Sequence, residues 1–164
     1  MNDNIGTVVE WFDYGLYLYL VPIVAPLIFP TDDQLTAIIA SLGVFAAGSL
    51  LRIAGGAFFG SIGDRLGRKK ALVLSILMMT IPMALTAFLP TYASIGIAAT
   101  LLFTAMRMVQ GFSAGGEYSG TVVQLVEQAP ANRRGFFAAT AVFTSGIGVL
   151  LASALVATLT TVLS

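Results

Sequence analysis

The sequence predicts an all-α, polytopic membrane protein with five transmembrane helices, and three observations predict it. Of 164 residues, 57% are hydrophobic and 10% charged, with a mean hydropathy of +0.92. An ordinary soluble domain carries about a quarter charged residues, so these cannot furnish a polar surface. Five apolar stretches each reach the roughly 20 residues that cross about 30 Å of hydrocarbon as a helix. The basic residues are also segregated: Arg65, Arg68, Lys69, Lys70, Arg133 and Arg134 all fall in two of the connections between those stretches.

The first stretch, about 6–28, closes at Phe29-Pro30-Thr31-Asp32-Asp33, a composition that stops a helix. The second, about 35–62, ends at a dense charged island, Gly60-Ser-Ile-Gly-Asp64-Arg65-Leu-Gly67-Arg68-Lys69-Lys70. Its glycines predict a tight turn between flanking helices. The third, about 71–89, contains Pro82, a kink that neighbouring helices tolerate in a membrane. The turn Pro90-Thr91-Tyr92 leads into the fourth, about 94–126, which is long enough to tilt. The loop Glu127-Gln-Ala-Pro130-Ala-Asn-Arg133-Arg134 precedes the fifth, about 135–163.

Lysine and arginine concentrate on the cytoplasmic side of a membrane. The two basic connections, and with them the N-terminus, are therefore expected in the cytoplasm, in a plasma (cytoplasmic or inner) membrane. Residues 1–6 carry no basic residue, and Glu10 and Asp13 interrupt the first apolar run, so a signal peptide is not expected. Eight basic residues balance eight acidic ones, which gives no long-range attraction to nucleic acid. The absence of cysteine excludes disulfides and thiolate metal sites. With histidine absent as well, any proton handled inside falls to a carboxylate. No metal site and no enzymatic activity are expected.

Five charges lie inside the predicted spans: Glu10, Asp13, Arg52, Arg107 and Glu117. An unpaired charge at the membrane centre costs about 2.5–3.5 kcal/mol, so these groups must face partners or a wet cavity. Glu10, Asp13, Tyr14 and Tyr17 follow the spacing of one helix face, as do Arg107, Gln110, Ala114 and Glu117. These residues are candidates for binding substrate or coupling protons. The competing readings are an interfacial position for Glu10 and Asp13, a buried structural pair for Arg52, and ion pairs of Arg107 and Glu117 with partners such as Asp13 or Arg52. Trp11, Phe12, Tyr14, Tyr17 and Tyr19 serve either as interfacial anchors or as cavity lining. Small residues such as Gly48, Gly55, Gly111 and Gly115 allow close helix contact.

The stretch Gly60-x-x-x-Asp64-Arg65-x-Gly67-Arg68-Lys69 resembles the signature loop between helices two and three of the major facilitator superfamily. Three further stretches narrow the resemblance: Gly6-Thr-Val-Val-Glu10-Trp11-Phe12-Asp13-Tyr14, then Arg107-x-x-Gln110-Gly111-Phe-Ser-x-Gly115-Gly116-Glu117-Tyr118, and Glu127-x-x-Pro130-x-x-Arg133-Arg134-Gly135. Together they are similar to the metabolite:proton symporter branch, which includes proline/betaine, citrate, 2-oxoglutarate and shikimate transporters.

The resemblance implies a carrier of two six-helix bundles that binds a small molecule between them and rocks to expose it alternately. The chain would supply helices one to five, a partial N-terminal bundle. Helix six, the second bundle and the lipid bilayer would be its partners. The resemblance implies a proton as coupling ion, with no other cofactor. It implies that Gly60, Asp64, Arg65, Gly67, Arg68 and Glu127 form a conformational latch. There Asp64 would meet a helix end of the other half, and Arg65 or Arg68 would pair with an acid such as Glu127. Arg107 would bind a carboxylate, of the substrate or of a partner residue. Asp13, Glu10 and Glu117 would be proton-coupling candidates.

Besides the missing helix six and second bundle, one departure qualifies these expectations and one feature supports them. Arg52-Ile53-Ala54-Gly55-Gly56 lacks the proline that often follows this arginine. The fifth span reads Thr144-Ser-Gly146-Ile-Gly148, without the proline-glycine motif of antiporters, which favours symport. The alternative expectation is a non-transporting sensor or assembly partner derived from half a carrier.

Overall fold

The computed structural model describes residues 3–163. Its long helices are α1 (Asp3–Ile28), α2 (Gln34–Leu66), α3 (Arg68–Thr86), α5 (Ile97–Gln128) and α6 (Arg134–Leu163), with a single turn α4 (Tyr92–Ile95) between α3 and α5. The five long ones are apolar enough to cross a membrane. Large hydrophobic side chains such as Ile53, Phe143 and Leu50 point outward, as in a protein solvated by lipid.

Local chemistry explains the boundaries. Pro26 has no N–H to offer the Pro22 carbonyl one turn earlier, a defect costly in hydrocarbon. Gln34 at the start of α2 fills it, its Nε2 donating to Pro22 O at 3.3 Å. Asp33 caps α2, accepting from the Thr36 backbone N–H at 2.9 Å and from the Thr36 hydroxyl at 2.6 Å. These two bonds, the hydroxyl's first, hold the exposed Asp33 carboxyl below its ordinary value of 3.8.

The tight turn expected of the charged island falls on a single residue, and α2 runs past the expected end of the second span, about residue 62. Gly60, Gly63, Asp64 and Arg65 are all helical, and α2 gives way to α3 at the single residue Gly67. Gly67 has φ 96°, a left-handed conformation that strains any side chain, which is why one glycine suffices there. The fourth span also differs: Ser94 belongs to α4, and α5 starts only after Gly96, at φ 62°.

Two tight helix pairs, α2 with α5 and α1 with α6, frame the bundle. Water supplies no drive for association inside a membrane, so close backbone approach takes its place. At Gly48 a β-carbon would lie 3.0 Å from the Arg107 carbonyl oxygen, and at Gly148 it would lie 2.6 Å from that of Val8. An apolar cluster of Tyr17, Val21, Ala25, Ile28, Phe29, Ala37 and Phe103 closes the end of the bundle away from the charged island.

Candidate functional site

The face of α1 predicted from residue spacing is where the intramembrane charges meet. Glu10 turns to α2, where Arg52 Nη2 lies 2.7 Å from its Oε1. One turn further, Asp13 turns to α5, and Arg107 Nη1 donates to its Oδ2 at 2.9 Å. Pairing in each case offsets much of the cost of an isolated ion in hydrocarbon.

The two arginines sit in different surroundings. The guanidinium of Arg107 lies 4.0 Å from the Tyr17 ring centroid and 5.7 Å from that of Phe103. Such cation–π contacts are worth about 2 kcal/mol when desolvated. Tyr17 is itself held: its hydroxyl donates to the Ser41 carbonyl at 2.7 Å and lies 2.6 Å from the Ser41 hydroxyl. Arg52 reaches instead toward Tyr14, with Nη1 3.4 Å from the phenol oxygen. Tyr14 packs edge-on against Phe45 and Trp11.

Glu117 stands apart from these pairs. It is fully buried against Gly6, where a β-carbon would come within 3.0 Å of the Glu117 Cδ. Neither of its carboxylate oxygens has a hydrogen-bond partner among the described residues. Gln110, on the same face of α5, is also buried with its amide unpartnered among them.

Two cavities flank α1. One of about 540 Å³ lies between α1, α3 and α5, mostly apolar, with Asp13 and Arg107 in its wall. The other, about 450 Å³, lies between α1, α2 and α6 and is bordered by Trp11, Tyr14, Tyr19, Phe45 and Ser49.

At the charged end Arg68 Nη2 lies 3.3 Å from Glu127 Oε1 and 3.9 Å from Asp64 Oδ1. The acid expected to receive Arg65 or Arg68 therefore receives Arg68. Asp64 keeps 75% of its side chain exposed, and Gly60 and Gly67 have open space beside them. Exposed pairs of this kind contribute about 0–1 kcal/mol, so they do little to stabilise the fold.

The structure thus joins Glu10 with Arg52 and Asp13 with Arg107, brings Tyr14 to Arg52, and leaves Glu117 and Gln110 outside both pairs. Phe45, Ser41 and Phe103 were not singled out in the sequence. Phe103 lies four residues before Arg107, the spacing of stacked helical neighbours, and that signal was available. Phe45 and Ser41 reach α1 only through the tertiary packing of α2.

The model of the sugar (and other) transporter family matches residues 4–163 of the chain. The chain belongs to this family, within the major facilitator superfamily. Among its relatives in that family are a proline/betaine transporter of Salmonella typhimurium, 37% identical over 97% of this chain and 32% of its own length. The shikimate transporter of Escherichia coli is 39% identical over 92% of this chain and 35% of its own length. The alpha-ketoglutarate permease of the same organism is 41% identical over 81% of this chain and 31% of its own length. The chain spans about a third of the length of these transporters. No solved structure matches it. As a member of a transporter family with five spanning helices, it is a multi-pass membrane protein and not an enzyme.

Proposed function

We propose that the chain forms the N-terminal helices of a secondary carrier that moves a small organic acid or zwitterion by proton-coupled symport. The observation that carries this reading is the charge arrangement in the membrane. Glu10 and Asp13 are balanced by Arg52 and Arg107, while Glu117 is buried with no hydrogen-bond partner among the described residues. Buried ions are retained in membranes mainly along substrate and ion pathways. Three acids against two bases leave one negative charge, and a proton on Glu117 would bring the buried charge to zero.

The related transporters are named for proline and betaine, shikimate and alpha-ketoglutarate, all of which carry a carboxylate. A guanidinium suits that group through two parallel hydrogen bonds. The basic connections support a plasma-membrane location with the N-terminus and the latch on the cytoplasmic side. There Gly60, Gly67, Arg68 and Glu127 would hold the latch, with Asp64 and Arg65 exposed to meet a second helical bundle. Helix six and that bundle would complete the substrate cavity.

Uptake by the complete gene product in proteoliposomes tests this reading. Labelled proline, betaine, citrate, 2-oxoglutarate and shikimate are offered with and without an inward proton gradient. Gradient-stimulated accumulation of one of them is expected. No uptake of any would favour the non-transporting reading.

A further inference from the structure

We propose that Arg52 is the guanidinium that receives a substrate carboxylate, and that Glu10 is its resting counter-ion, displaced when substrate binds. The inference rests on the transport reading above and assigns its recognition step to one residue.

Each intramembrane arginine holds an acid of α1, but the two are built differently. Arg107 has only 8% of its side chain exposed, is bonded to Asp13, and is covered by a ring that Ser41 locks in place. A ligand in the cavity of about 540 Å³ would meet Arg107 in its wall, but could bond its guanidinium only by displacing Asp13 or the ring. Arg52 keeps 29% of its side chain exposed while Glu10 is fully buried. Its Nη1 lies 3.4 Å from the Tyr14 hydroxyl, and Tyr14 borders the cavity of about 450 Å³ between α1, α2 and α6. Arg52 therefore lies behind a wall of that cavity, at the edge of a ring that faces into it.

The Glu10–Arg52 contact is a single short one, Nη2 to Oε1 at 2.7 Å, and the other Glu10 oxygen has no partner among the described residues. Glu10 thus gives Arg52 an opposite charge without the paired bonds that make guanidinium–carboxylate recognition strong. A substrate carboxylate entering from the cavity can supply those bonds and take the place of Glu10. The rest of the ligand then rests on the rings of Trp11, Tyr14 and Phe45, surfaces that accept alkyl groups and organic cations alike.

The charged and titratable groups near Glu10 are Asp13 and Tyr14 on α1, Arg52 on α2 and Glu117 on α5. The membrane parts of α3 and α6 contain no charged residue. Displaced Glu10 therefore has no second cation waiting for it on either of those helices. Binding at Arg52 adds a negative charge to the site, which increases the demand for the proton on Glu117 and ties substrate to it.

The test measures equilibrium binding, on the complete purified gene product, of whichever labelled compound the wild type takes up from proline, betaine, citrate, 2-oxoglutarate and shikimate. Arg52→Gln should weaken binding by about 30-fold or more, the cost of removing one partner of a buried charge pair. Arg52→Lys should recover part of the loss. Glu10→Gln should tighten binding, because it removes the competitor, and no misfolded protein would show a gain. Unchanged affinity in Arg52→Gln overturns the proposal. So does a loss in Glu10→Gln as large as in Arg52→Gln, since the pair would then be structural. A wild type that binds none of the compounds overturns the transport reading instead.

Discussion

Arg107 of α5 is held from two sides by α1, bonded to Asp13 at 2.9 Å and lying 4.0 Å from the ring centroid of Tyr17. The two α1 residues are four apart, so one face of α1 supplies both the anion and the ring. α1 and α5 are tied together at the middle of the membrane by this single side chain. It is a clamp that leaves Arg52 as the more accessible cation.

Breaking one side of that clamp should damage the fold. Removing one partner of a buried pair costs about 3–5 kcal/mol, because the other charge stays buried. Arg107→Ala should therefore lose substrate binding and thermal stability together in detergent. A double variant, Asp13→Asn with Arg107→Gln, should be more stable than the sum of the single losses, which a double-mutant cycle of melting temperatures would read.

The ring and the hydroxyl of Tyr17 have separable tasks. Tyr17→Phe keeps the cation–π face but strands the Ser41 partner, at about 1–3 kcal/mol. Tyr17→Leu also removes the ring and should cost more. If both variants melt together with wild type, the clamp is not holding the bundle.

The close approach of α1 and α6 depends on Gly148, where a β-carbon would lie 2.6 Å from the Val8 carbonyl oxygen. Gly148→Leu should separate the pair and reduce the monodisperse fraction on size-exclusion chromatography. Gly146→Leu, at a position with open space, should not.

The exposed Asp64 should matter for switching more than for holding substrate. Asp64→Asn is expected to lower turnover with little change in substrate affinity. Unchanged turnover in that variant would remove Asp64 from the latch.

The cap at Asp33 carries a pH dependence with a definite sign. Its carboxyl is held below the ordinary 3.8 in the folded protein, so it contributes stability above that value. The contribution is lost as pH falls through the lower, folded-state value. Melting temperatures should show Asp33→Ala less stable than wild type at neutral pH, with the difference closing in acid.

The spans were legible because apolar length is a property of local sequence, and lipid rewards it without regard to neighbours. Their ends were harder to read. The stretch around Asp64 and Arg65 looks like a loop by charge, yet a helix can carry those residues where it emerges into water, and only Gly67 needs an unusual backbone. Likewise Ser94 reads as part of a span, although the break falls at Gly96. The site residues were legible as charges out of place in hydrocarbon. Their pairing was legible in part: the sequence offered Asp13 as a partner for Arg107, while the partner of Arg52 depends on how α2 packs against α1. Gly48 and Gly111 allow α2 and α5 to approach closely, a tertiary spacing that residue periodicity does not give.

The central claim is that substrate enters with a proton, carried by Glu117. The most direct measurement adds substrate to de-energised proteoliposomes of the complete gene product and follows the external pH. The account predicts alkalinisation outside on substrate addition, abolished in Glu117→Gln while substrate exchange across the membrane persists. Substrate uptake with no proton movement in the wild type, or full proton movement in Glu117→Gln, would contradict it.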